Sequence, residues 1–567
     1  MIGLWASQGE SMRHWLTVAV AAFGWIGASR AADLADAVMH GDAATIDRLL
    51  AAHADVNEPR PDGGTALHWA VYRNDLVTAR KLLKAGANVA TLNEAGVAPL
   101  LLAAERGNPN MIALLLDTGA SPNATLKNGE TALMMAARTG NVAAIEVLTK
   151  HGVDVNAREQ LRGTTALMWA AAYKNPGAVG ALLEHGADAS LRSNAIPRGR
   201  RPYLAPSGRE RIEQVKRGVN VSGVVKLPTP TKGAPPPPPT DDDGAPVQRQ
   251  ATPDWGGLTA LVFAAREGDL ASAKMLLDHG VDVNQTSEFG WTPLLTATQN
   301  RYYQLGKFFL EHGADPNIAN KGGWNPLYIA TDNRNIEGGD YPTRKPDMDH
   351  LDFIKLLLDR SANVNARMAS STETRTVFTH QWLYEEGATP FLRAAQSGDM
   401  ALLKLLLAHG ADPTINTDTG VTPLMVAAGI GWVEGVTYEW SKTQTLDVVK
   451  LLLDLGNDVN ARDTSEGRTA LMGAAHKGRT DVIAALVEHG AKLDTRDVGS
   501  RDTIYKLAGV TWQAIDYADG LVRVGVQSAI PHPDAAALLR DYMTKAGLKV
   551  PPAGRTLDSI CVTDLCR

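Results

Sequence analysis

A short pattern of glycine and threonine recurs along most of the chain and limits its possible folds more than any other feature. Residues 63–86 read GGTALHWAVYRNDLVTARKLLKAG, and residues 129–152 read GETALMMAARTGNVAAIEVLTKHG. Ten positions share the threonine-like place, which we call the anchor, and each has a glycine two residues before it. The anchors are Thr65, Ala98, Thr131, Thr165, Thr259, Thr292, Asn325, Thr389, Thr422 and Thr469. This regularity predicts a tandem array of one small structural unit.

The residues of one unit predict its local structure. The glycine allows a positive φ in a tight turn, and threonine or asparagine at the anchor can cap the helix that follows. A second helix carries a Leu-Leu pair and ends at a glycine 21 residues after the anchor in eight of the ten units. We expect Leu83 and Leu406, from two of these pairs, to be buried against neighbouring units. Such short helices cannot bury their apolar faces alone, so the units must stack.

This unit resembles the ankyrin repeat, whose period is 33 residues and whose signature is T-P-L-H-x-A. Residues 65–70, TALHWA, match the signature best, and anchor spacings of 33 residues occur five times. The resemblance covers roughly residues 33–192 and 255–547, with imperfect first and last units. It implies an all-α solenoid of stacked helix-turn-helix units with extended finger loops. It also implies a protein that binds partners through its finger tips and concave face and has no inherent enzymatic activity.

The first 31 residues have the order of an export signal. Arg13 and His14 precede the apolar run 15–28, and small residues follow at the positions that a signal peptidase reads, up to Ala31. The run is shorter than the about 20 residues that a membrane-spanning helix needs. The pattern favours a signal peptide over residues 1–31 and a mature protein that is periplasmic or secreted, of the exported bacterial type. An uncleaved anchor and a fortuitous apolar start are the alternatives.

Composition divides the rest of the chain. Repeats occupy a first block, 32–192, and a second block with inserts, 255–547. Between them, residues 193–254 contain basic stretches, five consecutive prolines and three consecutive aspartates, which is typical of disorder or polyproline II. Whether the two blocks form one continuous solenoid stays open. The tail, 548–567, holds the cysteine pair Cys561 and Cys566, for which an oxidising location favours a small disulfide loop.

The second block departs from the regular pattern where aromatic residues collect. About 15 extra residues lie between the helices of the unit anchored at Asn325, and 13 lie between those of the unit anchored at Thr422. Insertions in repeat proteins map to loops and often mark the binding face. The candidate partner-binding residues are therefore Trp255, Phe289, Trp291, Trp324, Trp382, Tyr384, Trp432 and Trp440.

Two of these tryptophans precede the anchors of adjacent units. Stacking should place Trp291 and Trp324 side by side, where they would hold a partner that docks on the units anchored between Thr259 and Thr422. The tryptophans of the inserts would then form the rim of that surface. The alternative is that the aromatic rings pack the inserts against the solenoid.

Other classes of function find little support in the sequence. The formal net charge of −6 is small for 567 residues, so no nucleic-acid partner is expected. Histidines recur in His-Gly pairs at the ends of second helices, as at His151 and His409, where they can donate to terminal carbonyl groups. The motifs predict no enzyme, no metal site and no cofactor. The main prediction is a protein-protein interaction scaffold outside the cytoplasm, and the alternative is a receptor for a small ligand, peptide or glycan.

Overall fold

A computed structural model describes residues 34–196, 255–335, 344–369, 383, 385–433, 437–499, 510–522 and 530–556. The predicted signal peptide, most of the insert 193–254, Trp382, Tyr384, Cys561 and Cys566 lie outside these described residues. The chain divides into two compact parts, residues 1–127 and residues 128–567, each of which contains several repeat units. Within the described ranges, no helix combines the length and apolar character needed to cross a membrane.

The regular secondary structure of the described residues is almost entirely helical, as the all-α prediction requires. Residues 1–127 contain α1 Leu34–His40, α2 Ala43–Ala51, α3 Ala66–Tyr72, α4 Leu76–Lys84, α5 Pro99–Arg106 and α6 Pro109–Asp117. Residues 128–567 begin with α7 Ala132–Thr139, α8 Val142–Lys150, α9 Ala166–Ala172, α10 Pro176–Glu184, β1 Ala195–Ile196 and β2 Trp255–Gly256. They continue with α11 Ala260–Glu267, α12 Leu270–Asp278, α13 Pro293–Gln299, α14 Tyr303–Glu311, α15 Pro326–Arg334, α16 His350–Asp359, α17 Pro390–Gln396 and α18 Met400–Ala408. The last helices are α19 Pro423–Ala428, α20 Lys442–Asp454, α21 Ala470–His476, α22 Thr480–Glu488, α23 Ala514–Ala518 and α24 Pro533–Lys545.

The first helix of each unit begins at the glycine turn and the anchor position that the sequence predicts. The ten glycines that precede the anchors all have positive φ, between 62° and 85°. In eight of the ten units the anchor side chain accepts a hydrogen bond from the backbone N–H three residues later, as Asn325 does from Tyr328. Turn and cap thus fix where each first helix begins.

The core lies between stacked helices, with one correction to the predicted register. Leu406 is fully buried, as expected. Leu83, however, is only half-buried, and its neighbour Leu82 is fully buried. The first leucine of each pair faces the core because it lies three residues after another buried position, Ala79 or Leu403.

The stacking of the repeats continues from one side of the large insert to the other. β1 pairs antiparallel with β2, with Ala195 opposite Gly256, so the two ends of the insert meet in one finger. Helix α9 packs against α11, and α10 packs against α12. The sequence left continuity open, and these contacts join the repeats on both sides of the insert within residues 128–567.

The recurring histidines close the second helices. The ring Nδ1 of His151, His279, His312, His409 and His489 lies 2.7–2.9 Å from the carbonyl oxygen four residues earlier. Each ring therefore donates to a helix-terminal carbonyl group, which is the structural role that the His-Gly pattern predicts.

Candidate binding surface

A ladder of backbone hydrogen bonds joins the finger tips within residues 128–567. At each step an N–H group of one tip donates to a carbonyl group of the tip before it. The pairs are Gln160 to Asn128, Asn194 to Arg162, Glu288 to Gly257, Lys321 to Phe289, Ala369 to Gly322, Asp418 to Glu386, Thr464 to Thr419 and Val498 to Glu466, at 2.5–3.3 Å. The tips therefore form one ordered ribbon, on which side chains of successive units keep fixed neighbours.

A second ladder of asparagine side chains joins the bases of the fingers. The Asn284 amide donates to the Gly313 carbonyl at 3.2 Å, and its oxygen accepts from the Asp315 N–H at 2.9 Å. Asn460 makes the same pair of bonds to Gly490 and Lys492. The repeat pattern alone did not predict this link to the next unit.

Trp291 and Trp324 lie side by side, as predicted from their equivalent positions. Their ring centroids are 5.9 Å apart and the ring planes meet at 77°, an edge-to-face contact. Trp291 and Phe289 are half-buried, and the Lys321 ammonium lies 4.8 Å from the centroid of the Phe289 ring. These side chains form a mixed aromatic and cationic surface on two neighbouring tips.

Trp324 does not have the exposed side chain that contact with a partner requires, because only 6% of it is exposed. Its backbone N–H donates to the Asn320 side chain at 3.1 Å, and its ring makes the edge-to-face contact with Trp291. The expectation that Trp324 is an exposed anchor for a partner is therefore wrong. The partly exposed Trp291 and Phe289 remain candidates for contact, and of Trp255 the structure describes only the backbone, in β2.

The insert between α19 and α20 reaches back along the array. Trp440 donates from its indole N–H to the Asn335 side chain at 2.9 Å, and the Arg334 guanidinium lies 4.4 Å from the ring centroid. The Trp440 backbone N–H donates to the Ser397 carbonyl at 3.1 Å. One insert thus touches the two units that precede its own.

Two buried ion pairs lie beneath this contact. Arg393 binds Asp332 at 2.8 Å and Arg334 binds Asp399 at 2.6 Å. The Arg393 side chain is only 1% exposed, and it also donates to the Ser397 hydroxyl at 2.8 Å. Pairing offsets the cost of burying these four charged side chains, since a buried charge without a partner is strongly destabilising.

The same insert also binds the unit that follows it. Glu439 lies 3.2 Å from the Lys477 ammonium and 2.9 Å from the Arg479 guanidinium. Burial lowers the pKa of Lys477 to about 8, against the opposing effect of Glu439. The ring of Trp432 lies over the same lysine, with the ammonium 5.5 Å from its centroid. Trp432 and Trp440 therefore hold the insert to the array, as the alternative interpretation of the aromatic residues proposed.

These contacts fill the first-helix face of the units anchored from Asn325 to Thr422. Gln396 is buried there, whereas the equivalent Arg138 and Arg266 of regular units are half-exposed. Leu383, which lies between α16 and α17, is also buried. It packs so close to Gly431 that a Cβ added to this glycine would lie 2.8 Å from the Cβ of Leu383. In this part of the array, the chain itself covers positions of the first-helix face that are half-exposed in regular units.

Sequence reasoning missed this buried network. One signal was available: Arg393 stands where regular units carry an apolar residue such as Met135 or Phe263. Within the described residues, no group of three or more histidine, cysteine, aspartate or glutamate side chains is placed to hold a metal ion.

Comparison with known proteins identifies the class of protein that this fold defines. The family model for ankyrin repeats (3 copies) matches residues 34–126, 119–193, 261–368 and 391–497, which is more than half of the chain. The chain belongs to the ankyrin repeat family. Ankyrin repeats are generally protein-protein interaction modules, and arrays of them are generally non-enzymatic.

Individual relatives share stretches of these repeats. The chain is 34% identical to the ankyrin repeat protein nuc-2 of Neurospora crassa over 153 residues, 26% of this chain and 12% of that protein. It is 36% identical to the Homo sapiens ankyrin repeat and KH domain-containing protein 1 over 110 residues, 19% of this chain and 4% of that protein. A fowlpox virus ankyrin repeat protein is 30% identical over 145 residues, 25% of this chain and 35% of its own length. The chain thus spans well under half the length of each of these relatives.

Proposed function

We propose that this protein is a non-enzymatic scaffold that binds another protein outside the cytoplasm, through its finger tips. The observation that carries the proposal is the tip ribbon, an ordered series of fingers that presents the partly exposed Phe289 and Trp291. Aromatic residues are enriched at the energetic centres of protein interfaces. The filled first-helix face of the units anchored from Asn325 to Thr422 favours the tips over that face.

Site-specific photo-crosslinking in the native cell tests this function. A photoreactive amino acid replaces Phe289 in one full-length variant and Leu270 in a control variant. Leu270 is 46% exposed but lies on the second helix of its unit, away from the finger tips. We expect a discrete crosslinked protein from position 289 and none from position 270. Equal labelling from both positions, or none from either, contradicts docking at the tips.

The location outside the cytoplasm rests on the basic, apolar and small residues of the first 31 positions. N-terminal sequencing of the protein from its native cell tests it. We expect the mature chain to begin after Ala31. A cytosolic protein that begins at Met1 or Met12 would contradict export.

A glycan receptor is the second candidate, and the partly exposed ring of Trp291 is the observation that favours it. Aromatic rings can stack on the apolar faces of sugars. The protein-binding proposal expects no saturable binding on a glycan array, and loss of such binding in Trp291→Ala would favour the glycan receptor instead.

A further inference from the structure

Four consecutive finger tips carry a strip of cations and apolar side chains, which we call the cationic strip. It consists of Arg158, Leu161, Arg192, Phe289, Trp291 and Lys321. Leu161 is 63% exposed, and Phe289 and Trp291 are half-buried, so the strip offers apolar surface between its cations.

The charge of the strip is opposite to that of the whole chain. The chain has a formal net charge of −6, whereas Arg158, Arg192 and Lys321 are all exposed on these tips. Among the described residues of these four fingers, four exposed aspartates lie at the finger bases: Asp154, Asp188, Asp282 and Asp315. At the described tips, Glu288 is exposed, and Glu159 is buried and accepts hydrogen bonds from backbone N–H groups of its own turn. The strip therefore presents a local positive potential that complements an anionic partner.

The backbone ladder fixes the spacing of these groups. Asn194 donates to Arg162, Gly257 donates to Asn194, Glu288 donates to Gly257 and Lys321 donates to Phe289, so the four tips are joined step by step. Stacked helical units lie about 10 Å apart, so four tips span roughly 30 Å. An extended peptide rises about 3.3 Å per residue, and about nine residues would cover the strip.

We propose that the cationic strip binds an extended acidic segment of the partner protein, in which carboxylates and apolar side chains take turns at every second residue, so that both kinds face the strip. The carboxylates would pair with Arg192 and Lys321, and with Arg158, whose guanidinium also donates to the Arg192 carbonyl at 2.6 Å. Charge-assisted hydrogen bonds to carboxylates are strong. The apolar side chains would pack on Leu161, Phe289 and Trp291. This inference rests on the proposed function and adds the chemistry of the partner.

Fluorescence anisotropy with the full-length protein tests the chemistry. The probe is a labelled peptide of about ten residues in which glutamate and tyrosine take turns at every second position with serine between them, and its counterpart carries lysine instead of glutamate. We expect the acidic peptide to bind, more weakly as salt rises, and the basic peptide not to bind. Equal binding of both peptides, or no binding of the acidic one, overturns the proposal.

Matched charge reversals locate the binding. The triple variant Arg158→Glu, Arg192→Glu, Lys321→Glu should lose at least about tenfold in affinity for the acidic peptide. The control triple, Lys274→Glu, Lys404→Glu and Lys450→Glu, changes net charge equally at exposed positions on second helices and should lose much less. Equal losses in the two variants would mean that overall charge, not the strip, attracts the peptide.

Two further outcomes separate this inference from its alternatives. If the peptide binds only after deletion of residues 235–243, which are five prolines, a threonine and three aspartates, the chain's own segment occupies the strip and the inference is wrong. If the strip triple variant still crosslinks its native partner normally from position 289, the inference fails while the proposed function stands. Absence of any crosslink in the unmodified background is instead a failure of the proposed function.

Discussion

At the scale of single residues, Trp291 and Trp324 occupy equivalent positions but differ in exposure. Trp324 is 6% exposed and Trp291 is half-buried. We expect Trp324→Ala to lower the free energy of unfolding by about 3–5 kcal/mol, the usual cost of removing a large buried aromatic side chain. Trp291→Ala should cost less and should reduce crosslinking to a partner more. Urea titrations of both variants decide this, and equal losses would mean that Trp291 belongs to the core.

Leucines of the Leu-Leu pairs provide a second residue-scale test. Leu82 is fully buried, so Leu82→Ala should lower the free energy of unfolding by about 2–5 kcal/mol. Leu83 is only half-buried, and Leu83→Ala should cost below about 1.5 kcal/mol. The two variants delete the same atoms one position apart, so each controls the other. A larger loss for Leu83→Ala would show that the helix is rotated relative to the structure.

Glu159 should make stability depend on pH. Its carboxylate accepts hydrogen bonds from the N–H groups of Leu161, Arg162 and Thr164 and from the Thr164 hydroxyl, at 2.7–3.0 Å. Burial would raise the pKa of Glu159, but the hydrogen bonds outweigh it and hold the pKa below its usual 4.5. Because the folded pKa is depressed, this stabilisation is complete above about pH 4.5 and is lost as pH falls through the folded pKa.

Urea midpoints measured over a pH series check this expectation. Below about pH 4.5, the stability of Glu159→Gln should fall less steeply than that of the unmodified protein. Glu288→Gln, on a neighbouring tip and exposed, is the control and should keep the original slope. Identical slopes in all three proteins would mean that the Glu159 carboxylate has the same pKa folded and unfolded.

Whether the sequence predicts the environment of a residue depends on how far apart along the chain its interaction partners lie. Glycine turns and anchor caps are local, within about three residues, so one unit contains all their causes. The pair Arg393 and Asp332 is separated by 61 residues, and the burial of Trp324 depends on a neighbouring finger. The sequence therefore predicted the repeat and the turn and cap of its first helix, but it misjudged Trp324, because no local pattern records what covers a side chain.

At the scale of elements, the insert between α19 and α20 links units that do not touch as neighbours. In a solenoid each unit normally contacts only the next one. Trp440 instead joins its own unit to Asn335 and Arg334, which belong to the unit two positions earlier. We expect Trp440→Ala to speed backbone amide exchange in α15, because that helix loses a long-range contact.

A second tryptophan of the same insert is the matched control. Trp432 lies over Lys477, in the unit that follows the insert, so Trp432→Ala should affect α21 and leave exchange in α15 unchanged. Hydrogen-exchange mass spectrometry distinguishes the two helices. Faster exchange in α15 for both variants would indicate general destabilisation and not a specific link.

At the scale of the whole molecule, the large insert should be dispensable for the stability of the array. Ala195 and Ile196 pair with Gly256 and Trp255, so the two ends of the insert already stand where a two-residue turn could join them. Replacing residues 197–254 by Asn-Gly should change the melting temperature by no more than a few degrees, since α9 still packs on α11 and α10 on α12. Calorimetry checks this, with Asn-Gly inserted after Ala189 in the preceding segment as a control that breaks finger geometry. A large fall in melting temperature, or two separate transitions in the deletion variant, would show that the insert itself holds the repeats on its two sides together.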